Sequence, residues 1–594
     1  MRLRIQQDSA SYFFAEIVTL GVIALLCLGF ASFITAGSAQ FEAAVPIDTS
    51  LSALPGYALL SLMRSLISLT ISLIFAVLFG NLAARSPRHE RILIPLLDVL
   101  QCLPVLTFLP GFVLTLTMIF KSSRWGLEIS CILMIFTGQA WNLVFAYYDS
   151  QKQMTPELRE VTKLYGLSSR QKFLLLDLPN GMRPLIYNGM MSMAGGWFFL
   201  TLCEAYTLDD KSFRLPGLGS YLTVAFEAHN TTSFLAGLGA LATTIIGVDF
   251  LLWRPLIAWV SDFGDGQNSG EPAKQSLFLI MMKRAKLISL LTILFDKIID
   301  GLILGKESRA FNIAQNLFSR STSNHFLNSW AFSSESKPKR LRKGFGFSMR
   351  WAASLCGGAL LYYALPYIPQ LAKSLSLVGK SDWLQLTNAL GYTFLRIVCV
   401  VIISTAWTLP LGLWVGLNPK VAKYVQPIIQ NVAAFPAPVL FPIFAMIFIQ
   451  WQIPDGVSAI LLMTIGNQWY VLFNIISGAT AIDREHKTVA QVYGLTLWQK
   501  LRLVYLPALF PSIVTGWITA AGGSWNASIV AELVTYPGGV MQAKGIGAEI
   551  TRATMTGNYA LLGAAVIVET VALIIINRTV WRGLHLLSEK TYGY

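Results

Sequence analysis

Of 594 residues, 54% are apolar and only 13% charged, more apolar surface than a water-soluble fold can hide, so lipid must be part of the solvent. The net charge of +14 then reads as basic loops on the cytoplasmic side of a membrane rather than as a nucleic-acid surface. Short alternating strands do not dominate, which excludes an outer-membrane barrel, and the six cysteines, with no C-x-x-C spacing, read as small apolar residues rather than as a disulfide or metal framework.

The first predicted span lies at about 12–36. Arg2, Arg4, the apolar run from Tyr12 to Ile34 and the small residues Ala36-Gly-Ser-Ala39 have the outline of a signal peptide, yet the run is long for one, and we read a retained span. Further spans are expected at about 57–84, 92–120, 127–149, 181–206 and 231–260. Arg85, Arg88 and Arg91 separate the second from the third, and a polar insert, 151–180, separates the fourth from the fifth. With the N-terminus inside, these basic loops are cytoplasmic and Leu208–Asn230 faces outward. Pro104 and Pro110 predict a broken third span beside the pathway.

A connection at 264–347 opens with Gly264-Asp-Gly-Gln-Asn-Ser-Gly270, a flexible composition. Gln275–Leu304 is apolar but carries Lys283, Arg284, Lys286, Asp296, Lys297 and Asp300, too costly to bury as a thirteenth span, so an amphipathic helix in the inner interface is expected. The basic run Lys337–Lys343 suits a solvated linker or a contact with anionic lipid.

Spans return at about 350–374, 386–417, 424–450, 455–479, 509–536 and 557–582, with a second insert at 480–508. The return is a repeat. Tyr165-Gly166-Leu167 recurs as Tyr493-Gly494-Leu495 at an offset of 328 (493 − 165), which also carries Trp197 to Trp525, Glu204 to Glu532 and Trp253-Arg254 to Trp581-Arg582. Arg64, Gly80, Pro104 and Pro110 match Arg396, Gly412, Pro436 and Pro442 at 332 (396 − 64), so a small length change falls between the third and fourth spans. Six spans per copy give both copies the same orientation. The expected fold is an all-α polytopic membrane protein of about twelve transmembrane helices, with halves at 1–263 and 348–594 joined by the linker 264–347, and both termini cytoplasmic.

In the first insert, Pro156 and Glu157 suit the opening turn of a helix. Gly166 can end that helix, and Leu178-Pro179 stops the insert and starts the next span. The result is a short helix–turn–helix, a shape that docks in a groove on another protein. Glu160-Val-Thr, with Gly166 six residues on and Leu178-Pro179 eighteen and nineteen on, resembles the EAA signature of binding-protein-dependent ABC import permeases. In the second copy Gly494 and Leu506-Pro507 keep the register, but Thr488 stands where the Glu belongs. The resemblance implies a type I importer permease in an inner membrane. It also implies two ABC ATPase subunits seated on these inserts and an extracytoplasmic substrate-binding protein. Glu160, Gly166, Leu178, Pro179, Thr488, Gly494, Leu506 and Pro507 would be the docking positions, with Thr488 making the two sites inequivalent.

No G-x-x-x-x-G-K-[ST] loop occurs, and Gly301-Leu-Ile-Leu-Gly305-Lys306-Glu307 has the wrong spacing and lacks the Ser/Thr that meets magnesium. ATP and Mg are therefore expected on the partner, with no cofactor, metal or catalytic residue in this chain. Leu103-Pro104-Val-Leu-Thr-Phe-Leu-Pro110 and Leu215-Pro-Gly-Leu-Gly219 further resemble the nitrate, sulfonate, taurine and bicarbonate group of these permeases, which implies a small anion as cargo.

Candidate pathway residues are the duplicated polar and aromatic positions. Gln139 and Trp141 match Asn467 and Trp469, and Trp197 matches Trp525. Amide and indole N–H groups donate to an anion without a fixed charge that would trap it. Helix packing is the competing role for Gln139 and Asn467. Arg64 and Arg396 either attract an anion or serve structure near the helix ends, whereas Glu204 and Glu532 would repel one and are expected to pair structurally near the outer face. Gly195-Gly196 and Gly522-Gly523 permit close helix approach. A self-sufficient twelve-helix secondary transporter has the same span count, but mid-span carboxylates for a charge relay are scarce and the inserts would have no role.

Overall fold

The computed structural model of the chain describes residues 9–42, 44–102, 104–165, 167, 169–209, 211–261, 368–482, 488 and 492–592. The linker with its expected amphipathic helix, most of the span expected at 350–374, and Gly166 lie outside the described residues. The first half runs α1 (Ser9–Ser38), α2 (Leu54–Arg85), α3 (Pro87–Cys102), α4 (Leu109–Ile119), α5 (Trp125–Lys152), α6 (Pro156–Leu164), α7 (Ser169–Lys172), α8 (Leu178–Glu204), β1 (Ala205–Leu208), β2 (Lys211–Arg214), α9 (Leu218–Glu227), α10 (Thr231–Val248) and α11 (Arg254–Ser261). The second runs α12 (Ile368–Ser376), α13 (Lys380–Leu417), α14 (Pro419–Ala434), α15 (Phe441–Gln450), α16 (Asp455–Ala481), α17 (Leu497–Lys500), α18 (Leu506–Ala531), β3 (Leu533–Tyr536), β4 (Gly539–Gln542), α19 (Ile546–Met555), α20 (Tyr559–Ile576) and α21 (Arg582–Tyr592).

Eight helices among the described residues are long and apolar enough to cross a membrane. At 1.5 Å per residue the 32 residues of α2 exceed a hydrocarbon core of about 30 Å, so the helix fits by tilting. The 27-residue α8 is not among the eight. Asn180, Arg183 and Asn188 dilute its apolar run, and it is sheltered against α2 and α5. The triad α2, α5 and α8 forms the centre of half one, and α13, α16 and α18 repeat it in half two.

The third span is broken in both halves, as its prolines predict. Pro104 and Pro436 are extended (ψ 112° and 106°), and a 3-10 turn follows each, at Val105–Phe108 and Ala437–Leu440. Proline supplies no N–H and pushes the preceding residue out of the helical region. In half two the two pieces meet at 68°. These broken spans clasp the halves together: the turn after Pro104 packs on α18, the turn after Pro436 packs on α8, α3 touches α20 and α14 touches α8. The Val105 amide, freed by the break, donates to Asn526 Oδ1 of the other half at 2.7 Å, so the backbone polarity is satisfied within the protein as a membrane interior demands.

One end of each half is fixed by a buried ion cluster. Arg64 in α2 is fully buried. Its Nε and Nη2 donate to Glu128 of α5 at 2.6 and 2.7 Å, and its Nη1 donates to Glu204 of α8 at 2.7 Å and to the Pro216 carbonyl at 2.9 Å. Glu204 also accepts from Ser61 Oγ and from the Gly219 amide, both at 2.7 Å. In half two Arg396 donates to Glu532 at 2.6 Å, with Thr393 Oγ1 at 2.7 Å and the Gly547 amide at 2.9 Å on the same carboxylate. Glycine is required at 217 and 545, where a Cβ would collide with those carboxylates. The expected structural pairing of Glu204 and Glu532 is thus made with Arg64 and Arg396. The equivalent of Glu128 is Gly456 (456 − 128 = 328), so Arg396 has one carboxylate where Arg64 has two.

The segments after α8 and α18, expected only as outward loops, are ordered antiparallel hairpins followed by short helices. Ala205 pairs with Arg214 and Leu208 with Lys211, and Leu533 pairs with Gln542 and Tyr536 with Gly539. The fifth spans accordingly end at Glu204 and Ala531, short of the expected 206 and 536.

Removing one member of a buried ion pair leaves an uncompensated charge, worth about 3–5 kcal/mol. Arg64→Met is expected to lower the thermal unfolding midpoint of the detergent-purified chain strongly, and Arg396→Met less so. Gly456→Glu is expected to be tolerated or stabilising, because a Cβ there sits 3.5 Å from Arg396 Nη2. Equal losses from both arginine variants would contradict this ranking.

Candidate functional site

Two features stand out: a cavity between the halves and a pair of inserts at one end. The cavity has a volume of about 250 Å³. It is lined by α3, α5, α8 and α10 of half one and by α14, α16, α18 and α20 of half two, together with residues of both broken third spans. Many lining residues are repeat mates: Gly138 and Gly466, Trp141 and Trp469, Trp197 and Trp525, Ile245 and Leu573, and Trp253 and Trp581. The pseudo-two-fold axis of the duplication therefore passes through it.

Of the pathway candidates, the fold brings Trp141, Trp197, Asn467, Trp469 and Trp525 to the cavity. It does not bring Gln139, Arg64 or Arg396 there. Gln139 is buried behind Gly196, with its Oε1 3.3 Å from Ser68 Oγ and its Nε2 without a partner among the described residues. The arginines are held by carboxylates in the clusters described above and do not line the cavity. Asn467, the repeat mate of Gln139, bonds the Met463 carbonyl of its own helix at 2.9 Å and lies over Gly523. The glycines let these amides approach the neighbouring helix closely, as the sequence suggested.

Among the described residues that line the cavity there is no Lys or Arg, and Asp249, an acidic one, is paired with Arg254 at 2.9 Å. The amides of Gln101, Asn142, Gln430 and Asn577 line it without a hydrogen bond to another described residue. Sequence reading missed these four because none is itself duplicated: their repeat mates are Ala433, Tyr470, Asp98 and Asp249. Asp249–Trp253 and Asn577–Trp581 are single turns of π-helix, a wider winding often found at functional sites. In each, the first and last residues line the cavity.

The inserts lie at the end of the bundle away from the ion clusters. They join the end of α5 to the start of α8, and the end of α16 to the start of α18. The first is held by Gln151 Nε2 to the Asp177 carbonyl and by Asn180 Nδ2 to the Ser150 carbonyl, both at 2.7 Å. Nearby, Lys152 and Tyr148 both donate to Glu90 (2.5 and 2.7 Å) and hold its carboxyl below the usual carboxylate range. Glu160 is exposed on α6, and Thr488 is exposed at the matching position. Leu178-Pro179 and Leu506-Pro507 open α8 and α18, where proline costs no hydrogen bond. Gly494 turns the chain with φ +58°, the left-handed region that favours glycine. Both inserts leave large apolar side chains in the open: Leu164 and Tyr165 in the first, and Val492, Tyr493, Leu497 and Trp498 in the second, the last four each at least 70% exposed.

The family described as binding-protein-dependent transport system inner membrane component matches the chain twice, at residues 72–252 and 408–588. The chain is 32% identical over 124 residues to the bicarbonate transport system permease protein CmpB of Synechococcus elongatus, covering 21% of this chain and 43% of that one. It is 26% identical over 172 residues to the taurine transport system permease protein TauC of Escherichia coli K12, covering 29% and 61%. It is 30% identical over 170 residues to the nitrate import permease protein NrtB of Leptolyngbya laminosa, covering 29% and 57%. The chain spans about half the length of the curated relatives it matches.

Overpacking a tight helix crossing costs about 1–3 kcal/mol. Gly523→Ala, whose Cβ would collide with the Asn467 side chain, is expected to lower the unfolding midpoint, whereas Gly522→Ala, with open space around it, leaves it unchanged. Comparable midpoints for the two variants would refute the close crossing.

Proposed function

The chain belongs to the family of binding-protein-dependent transport system inner membrane components, and on that premise we propose that it is the fused permease of an ATP-driven importer for a small anion of nitrate, bicarbonate or sulfonate type. The observation that carries this reading is the pair of inserts, each presenting exposed apolar side chains at the same end of two equivalent halves. Large apolar groups in water favour a partner that buries them. Two ABC ATPase subunits from other chains would take one insert each, binding ATP and Mg themselves, and no residue of this chain is assigned a catalytic role. Glu160, Gly166, Leu178 and Pro179 would form one docking site. Thr488, Gly494, Leu506 and Pro507 would form the other, with Thr488 making the sites inequivalent.

In this mechanism ATP draws the two ATPases together and the inserts move with them. Each insert runs into α8 or α18 through a π-helical turn at Phe173–Asp177 or Leu501–Tyr505. Movement at the inserts therefore rocks one half against the other and opens the interfacial cavity to alternate sides. Arg85, Arg88, Arg91, Lys152 and Arg183 gather at the insert end, which supports a cytoplasmic placement of that end and of both termini. The hairpins β1–β2 and β3–β4 would then face outward and receive cargo from a binding protein. The relatives named for nitrate, bicarbonate and taurine support the cargo class.

Co-purification with candidate ATPases tests the docking. Gly166→Asp and Gly494→Asp are each expected to reduce ATPase association by tenfold or more at unchanged expression. If both variants still bind and transport proceeds without ATP, the importer reading fails.

A further inference from the structure

Duplication alone would make the two walls of the cavity chemically alike, and they are not. On α8 the lining includes Met191 and Phe198. Their repeat mates on α18 (191 + 328 = 519; 198 + 328 = 526) are Thr519 and Asn526, and these also line the cavity. Asn526 sits beside the broken third span, where its Oδ1 takes the Val105 amide. The α8 wall has thus become apolar and the α18 wall polar, across one axis.

We propose that the cavity takes an organic anion with a flat apolar body, an aromatic sulfonate or carboxylate, rather than an inorganic oxyanion such as nitrate. This rests on the reading of the cavity as the cargo pathway and narrows its substrate. Three observations converge on it. A cavity of about 250 Å³ exceeds the roughly 150 Å³ that suffices to hold benzene, and at about 30 Å³ per water a four-atom ion would leave most of it wet. The half-buried Phe198 and Met191 offer a ring-binding surface, and aromatic contacts and soft thioethers both suit a flat π-system. Either anion must shed water without a Lys or Arg among the described lining residues; a compact inorganic anion gains nothing from such a wall in return, whereas an aromatic body buries apolar surface on it that offsets the cost. The head group needs donors of modest strength, and the amides of Gln430 and Asn577, which bond no other described residue, supply them without a fixed charge.

Isothermal titration of the full-length chain in detergent, with benzenesulfonate, methanesulfonate and nitrate as separate titrants, tests the assignment. Benzenesulfonate is expected to bind at least tenfold tighter than either other anion, and Phe198→Asn, which gives α8 the polarity of α18, is expected to cut that preference below threefold. Nitrate or methanesulfonate binding within threefold of benzenesulfonate, no saturable binding of any of the three, or an unchanged preference in a folded Phe198→Asn would each overturn it. Should that variant not fold, the comparison of the three anions on the unaltered chain decides. The titration requires no ATPase, so its failure is separable from a failure of ATPase docking.

Discussion

Arg64 has no water-accessible surface, so its charge must be met from inside the protein, and one end of half one is arranged to do so. A guanidinium has five donors in a rigid fork, and a bidentate carboxylate is the geometry that matches it. Glu128 supplies that match from the first turn of α5, and Glu204 supplies a second carboxylate from the last residue of α8. The segment beyond α8 closes the set through the Pro216 carbonyl and the Gly219 amide. Three helices and the loop behind the hairpin are thereby locked in register at one end. Freedom of the bundle is left to the opposite end, where the inserts sit.

The interface between the halves obeys the same rule on polar groups in a different form. A proline break exposes backbone in a place without water, and the chain meets it by handing that backbone to the other half. Val105 to Asn526 is the clearest case, and Thr107 near Glu569 (3.3 Å) lies in the same turn. The break that opens room for a cavity is therefore also the contact that holds its walls together. Neither half could form this arrangement alone.

How much of this was legible depended on whether the signal was local. Among the described residues, the helix positions, the repeat and the broken third spans followed from apolar runs, constant offsets and prolines, each readable from residues near one another. The glycines at 196 and 523 likewise announced close crossings. What escaped was pairing across long separations. Arg64 and Glu204 were both noted in the sequence, but nothing local says that residues 140 apart form one ion pair, and Glu128 carried no signal because its repeat mate is Gly456. For the same reason Arg64 and Arg396 were weighed as pathway residues, whereas the fold holds them in ion clusters that do not line the cavity. The hairpins were hidden by length: four-residue strands have too little alternation to be recognised. The cavity amides are not themselves duplicated, and only the assembled bundle shows that they face one space.

The substitution of Glu128 by Gly456 in the second copy has a mechanical meaning. A joint held by two struts resists shear in more directions than a joint held by one, and the side chain of Arg396 keeps a little contact with solvent where Arg64 keeps none. At this end half one is therefore braced in more directions than half two. A fused pair of repeats can differ in this way at one joint, whereas two identical copies would carry the same joint twice.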